Sequence, residues 1–173
     1  MPTITAARVK TFMSGVLGSV QDFMDGAGVM DHGEFKEDTI LYQLHQKLQD
    51  KTRIHFYGDV MWGKSFGKLF TKELAVEEQD VRELDYNDNQ AWKNIKVDLD
   101  HGSDFDLIIA HLDGMDHAGH AHGTRDGSVQ KKMLDVESII KKVIDNMDDD
   151  TTIVVFGDHG MTQEGSHGGS SDQ

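Results

Sequence analysis

Apolar residues along this chain recur in two rhythms, and each rhythm predicts a different element. Val9, Phe12, Met13 and Val16 return at intervals of three and four, which predicts an amphipathic helix over 5–16 with Thr5 in its first turn. Leu41, Leu44 and Leu48 mark a second helix over 35–48, and a modest third is predicted over 90–99. The clearest helical face runs through Val129, Met133, Val136, Ile139, Ile140, Val143 and Met147. Continuous apolar runs behave differently. Residues 53–59 read as a short strand ending in Gly58-Asp59, and 105–112 and 151–156 read as strands buried on both faces. The stretch 22–33, rich in Gly and Asp, reads as loop, and 62–74 as irregular or partly helical.

Strands separated by helices argue for parallel pairing through right-handed crossovers. The predicted fold is therefore an α/β sandwich around an open, mostly parallel sheet. Ligands in such folds collect beyond the carboxyl ends of the strands. Asp59, Asp113 with Asp116, and Asp158 with His159 all fall at or just after predicted strand ends.

Composition narrows the function classes. The net charge of −14 disfavours direct binding of nucleic acid or of anionic lipid surfaces. There are no cysteines, so disulfides play no part and no redox compartment is indicated. No apolar run approaches the roughly 18 residues of a membrane span, and no signal peptide opens the chain. Both ends read as cut, as in an internal piece of a larger protein.

The chemistry concentrates in the last third. Six of the ten histidines lie from His111 to His167, mixed with aspartate and glycine. Carboxylate oxygen with imidazole nitrogen is a ligand set for divalent metals of the zinc type. In Asp116-x-x-x-His120 the two side chains can turn toward one point. Asp158 and His159 are adjacent, so they aim together only in a tight turn, for which Gly157 and Gly160 supply freedom. His167 follows in a Gly-rich loop. These five residues form the expected metal-binding set, whereas His32, His45, His55 and His101 read as surface or satisfied core residues. Two such clusters suggest two-metal phosphoryl chemistry. A nucleophile is then needed, and Pro2-Thr3-Ile4-Thr5 offers a hydroxyl at a helix start, where the helix dipole favours negative charge. Arg8 or Lys10 is placed to face a phosphate.

The segment Pro2 to Gly15, with Phe56-Tyr57-Gly58-Asp59, Asp116-His-Ala-Gly-His120, Gly157-Asp-His-Gly-Met-Thr162 and Gly165-Ser-His-Gly168, resembles the GPI ethanolamine phosphate transferases of the alkaline phosphatase superfamily. The likeness runs in order over essentially the whole chain, and leans to the third enzyme of that series over the second. It implies an alkaline phosphatase-like three-layer α/β/α sandwich, here a partial lumenal catalytic domain over 1–173. By the same resemblance Thr5 is the nucleophile and carries phosphoethanolamine. Asp158 and His159 hold one zinc beside it, and Asp116, His120 and His167 hold the other, with other divalent metals also acceptable. The donor is phosphatidylethanolamine, and the acceptor is a mannose of the GPI glycolipid. The setting is the lumenal side of the endoplasmic reticulum membrane, with a small membrane partner subunit.

Departures accompany the likeness. The family's further aspartate ligand lies on a strand before Pro2, and its anchor and membrane domain have no counterpart in 1–173. The asparagine that assists related phosphodiesterases is not placed, and Val60 and Met61 stand where an acidic residue is usual. Asp113 competes with Asp116 as a ligand. The alternatives are a hydrolase of the nucleotide pyrophosphatase/phosphodiesterase type, and a metal-binding piece without catalysis. Metal ligands must be deprotonated, so activity is expected to fall in acid.

Overall fold

The computed structural model describes residues 3–18, 38–48, 51–76, 84–101 and 105–168. The loop predicted at 22–33 and the first turn of the helix predicted from residue 35 lie outside them. The chain enters through helix α1 (Thr5–Ser14), which stops at Gly15 in the left-handed conformation. Helix α2 (Ile40–Lys47) is capped by Thr39, whose side chain accepts from the Tyr42 N–H at 3.2 Å. Strand β1 (Ile54–Asp59) runs into helix α3 (Val60–Phe66), and the Asp59 carboxylate caps it by accepting from Met61 N at 2.5 Å. A single 3-10 turn (Gly67–Leu69) leads to strand β2 (Lys72–Val76). Helix α4 (Tyr86–Asp100), strand β3 (Leu107–Ala110), helix α5 (Gly114–His122) and helix α6 (Gly127–Asn146) follow.

The three strands form one parallel sheet in the order β2-β1-β3, with Phe56 opposite Glu73 on one side and Ile109 on the other. Strand β1 is central, and its alternation builds two cores. Ile54 and Phe56 turn to one face and pack with Val9 of α1, Leu41 of α2, and Trp62 and Phe66 of α3. Tyr57 turns to the other face, against Ala91 and Ile95 of α4 and Val143 of α6. Helices on both faces of a parallel sheet make three layers, so the architecture is α/β. Each fully buried large side chain in β1 contributes about 1.5–3 kcal/mol.

A polar network ties the second layer to the sheet. Asp98 of α4 accepts from His55 Nδ1 at 2.7 Å, from Lys72 Nζ at 2.7 Å and from the Tyr57 hydroxyl. Burial pushes the Asp98 carboxyl up, but these three donors outweigh it and hold its pKa below the ordinary value. His55 is thus a satisfied core histidine, as its sequence context suggested.

Two strand assignments change. Strand β2 falls in the stretch read as irregular, because Lys72 and Glu73 break its apolar pattern. Residues 151–156, read as a buried strand, form no strand, and Val154, Val155 and Phe156 are mostly exposed. This segment and β3 line the same broad cleft, of about 2020 Å³, without a ladder between them. Strand pairing needs a backbone about 4.8 Å away, and apolar content alone does not supply one. For the same reason β3 is an edge strand of half-buried residues, not one covered on both faces. Among the described residues no helix is long and apolar enough to cross a membrane.

Candidate active site

Helix α5 carries the first two site residues. Asp116 and His120 are four apart on one helical face, with Asp116 Oδ2 3.2 Å from His120 Nε2. The start of α5 is anchored from beneath. Asp88 Oδ1 accepts from Gly114 N at 3.2 Å, and Asn87 donates to Asp113 Oδ2 at 2.6 Å. Lys132 of α6, itself buried, bonds Asp85 at 2.5 Å and Asp88 at 3.3 Å. Burial raises the pKa of both Asp88 and Asp113. Asp113 therefore belongs to the foundation of the helix and does not compete with Asp116.

The loop after residue 160 brings His167 back to this face. Thr162 organises its turn: the Thr162 N–H donates to Ser166 O at 2.9 Å, and the Ser166 N–H donates to Thr162 Oγ1 at 3.2 Å. Gly165 sits at φ +81°, and a Cβ there would lie 1.9 Å from Gly119 O. A Cβ on Gly119 would meet Met161 Sδ at 2.2 Å. The two glycines let α5 and the loop touch backbone to backbone, which sets the His120 and His167 rings 4.7 Å apart. Gly157 and Gly160, expected to supply the turning freedom, take no positive φ; Gly165 and Gly168 do.

Six side chains then converge. Thr5 Oγ1 lies 3.2 Å from His159 Nε2, across 154 positions of sequence. His159 Nε2 is 3.3 Å from Asp158 Oδ2, and His167 Nε2 is 3.3 Å from Asp116 Oδ1. The His159 and His167 rings stack at 4.0 Å, so the two groups adjoin.

Proton placement decides what this arrangement can bind. His167 Nδ1 lies 2.6 Å from Thr3 O, and His159 Nδ1 lies 3.1 Å from Gly160 O. A carbonyl only accepts, so each ring holds its proton on Nδ1. In the neutral rings both Nε2 atoms are acceptors beside carboxylate oxygens, and that of His159 is also within reach of the Thr5 hydroxyl. Asp116 Oδ1 is buried and has no hydrogen-bond donor. Acceptors facing acceptors at about 3.3 Å call for a cation between them. That spacing is also the edge of a tetrahedron with metal–ligand bonds of about 2.0–2.1 Å. The ligating atoms of Asp116, His120 and His167 all lie within 4.8 Å of one another, so these residues fit a divalent ion.

Arg8 and Lys10 do not line the cleft that holds Thr5, and Lys10 is buried in α1. Thr3 was not singled out from the sequence, because its contact with the His167 ring runs through a backbone carbonyl, which leaves no mark on residue type, and its hydroxyl meets a partner 165 positions away.

The family model for type I phosphodiesterase / nucleotide pyrophosphatase matches residues 28–169. The chain belongs to this phosphodiesterase family. Its α/β fold fits that family. Among curated relatives, the chain is 34% identical over 99% of its length to the mouse GPI ethanolamine phosphate transferase 3, catalytic subunit, and covers 15% of that protein. It is also 34% identical to GPI ethanolamine phosphate transferase 3 of Saccharomyces cerevisiae, over 98% of the chain and 16% of the relative. GPI ethanolamine phosphate transferase 2 of Yarrowia lipolytica is 32% identical over 98% of the chain and 20% of its own length. The chain thus spans well under a quarter of each of these relatives. No solved structure gives a significant match. The phosphodiesterase match begins after α1 and does not reach Thr3 or Thr5.

Proposed function

We propose that this chain is the catalytic part of a phosphoethanolamine transferase that modifies a mannose of the GPI glycolipid with phosphatidylethanolamine as donor. The observation that carries the reading is the approach of Thr5 Oγ1 to His159 Nε2 at 3.2 Å, beside the cluster of Asp116, His120 and His167. The relatives' names support the acceptor class.

Thr5 is the nucleophile. It opens α1, whose first turn has no side-chain cap. The free N–H groups and the helix dipole favour the negative charge that gathers on attack. In the first step the Thr5 Oγ–phosphorus bond forms, the bond to the diacylglycerol oxygen breaks, and the hydroxyl proton ends on the departing alcohol. In the second the mannose oxygen bonds phosphorus, the Thr5 ester breaks, and Thr5 regains a proton. Asp158 and His159 would hold one zinc ion, and Asp116, His120 and His167 a second. Divalent ions there supply a lowered hydroxyl pKa and charge neutralisation on the phosphoryl group. The carbonyls of Gly160 and Thr3 keep the two Nε2 atoms free for that role.

The proposed setting is the lumenal face of the endoplasmic reticulum membrane. The mouse relative's designation as a catalytic subunit supports a partner subunit. A second reading, hydrolysis of a phosphodiester by water, is favoured by the family description. The two part at the second step, where water replaces the mannose hydroxyl.

Thr5→Ala in the full-length protein is expected to lower transfer by on the order of a thousand-fold or more, and to leave zinc binding at Asp116, His120 and His167 near wild type. Transfer is measured from labelled phosphatidylethanolamine to a GPI acceptor. Retained transfer in the variant would remove Thr5 from the reaction. Label appearing as free phosphoethanolamine at the wild-type rate would establish the hydrolase instead.

A further inference from the structure

Thr3 takes no part in the reaction described, yet it holds the loop of His167 at two points. Its carbonyl accepts from His167 Nδ1 at 2.6 Å, and its hydroxyl accepts from the Gly168 N–H at 2.7 Å. The partners are 164 and 165 positions away in sequence. Gly168 sits at φ +96°, and a Cβ there would come within 3.3 Å of Ile4. The segment before α1 and the loop therefore lie in close contact. We propose that Thr3 is a positioning residue that couples the placement of the nucleophile Thr5 to cation binding at His167.

The coupling has two parts. The carbonyl bond fixes the proton of His167 on Nδ1 and turns Nε2 toward Asp116. The hydroxyl bond fixes the backbone on the C-terminal side of the same ring, and so its plane. Thr3 is two residues before Thr5, so a loop ordered by a cation also orders the start of α1. Linkage is reciprocal: whatever steadies the segment 3–5 raises cation affinity, and a bound cation steadies the segment. Outer contacts of this kind change metal affinity by about 10–100-fold when removed. The inference rests on reading Asp116, His120 and His167 as a cation site.

The test uses the full chain with zinc alone as the probe, in calorimetric titrations. Thr3→Val removes the hydroxyl acceptor at nearly constant volume, and Thr3→Ser keeps it. Thr3→Val is expected to weaken zinc binding about ten-fold, while Thr3→Ser stays near wild type. A purely structural role would instead lower the unfolding midpoint in chelator and leave zinc affinity unchanged; that outcome overturns the proposal. His167→Ala separates the two readings. If it binds zinc as wild type does, the cation site itself is wrong; if it loses binding while Thr3→Val does not, only the coupling fails. Should Thr3→Val not fold, wild-type hydrogen exchange decides. Zinc is expected to slow exchange at the Gly168 amide and in the first turn of α1, and unchanged exchange at both would end the proposal.

Discussion

His159 and His167 solve the same problem in the same way. Each gives its Nδ1 proton to a backbone carbonyl and presents a bare Nε2 to a carboxylate. That pattern is typical of histidines that serve metals, where the second nitrogen fixes tautomer and ring plane. The residues that converge, Asp116, His120, Asp158, His159 and His167, were legible in the sequence because carboxylates and imidazoles bracketed by glycine are distinctive. The carbonyls of Thr3 and Gly160 were not, since every residue has one. The glycines were legible in kind but misplaced: the turning points are Gly165 and Gly168, not Gly157 and Gly160. Gly119→Val would drive a side chain into Met161. It is expected to destabilise the fold by about 1–3 kcal/mol and to abolish zinc binding, checked by denaturant unfolding and zinc titration. Wild-type zinc affinity in this variant would show that the α5–loop contact does not set the site.

At the scale of elements, α5 matters most, because it must hold Asp116 and His120 in register with a loop from the far end of the chain. Its base is the buried Lys132, pulled down in pKa by burial but held above the ordinary value by Asp85 and Asp88. Removing one partner of a buried pair strands the other and costs about 3–5 kcal/mol. Lys132→Ala is expected to lose stability of that size in urea denaturation, and a change under about 0.5 kcal/mol would show the pair to be incidental. The sequence marked the helices well, because a stripe of apolar residues at intervals of three and four has one structural solution. Strands were harder. Lys72 and Glu73 hid β2, and 151–156 carried the apolar run of a strand without a neighbour to pair with. Apolar runs report a need for burial, whereas a strand also needs a partner's N–H and C=O groups.

For the whole molecule, the layered arrangement is what gathers the site. Strand β1 fills both cores, and the segment after residue 156 meets the start of α1 through His159 and the loop of His167. The Asp98 network that braces the second layer makes a pH prediction. Its carboxyl is held below the ordinary value of about 3.9. A depressed carboxyl adds stability that is present above the unfolded pKa and is lost as pH falls through the folded one. Between about pH 5 and pH 3 the wild-type chain is expected to lose more stability than Asp98→Asn. The measurement is urea unfolding at each pH, and parallel losses in the two proteins would contradict it. Asp88 and Asp113, raised by burial, act with the opposite sign and leave the comparison between the two proteins intact.

On the proposed reading, divalent cations bridge the opposed acceptor atoms next to Thr5. Anomalous X-ray diffraction at the zinc edge, from crystals equilibrated with zinc, tests it most directly. The account predicts a strong peak bounded by Asp116, His120 and His167, with a second between Asp158, His159 and Thr5. No anomalous density at either place under saturating zinc would contradict it.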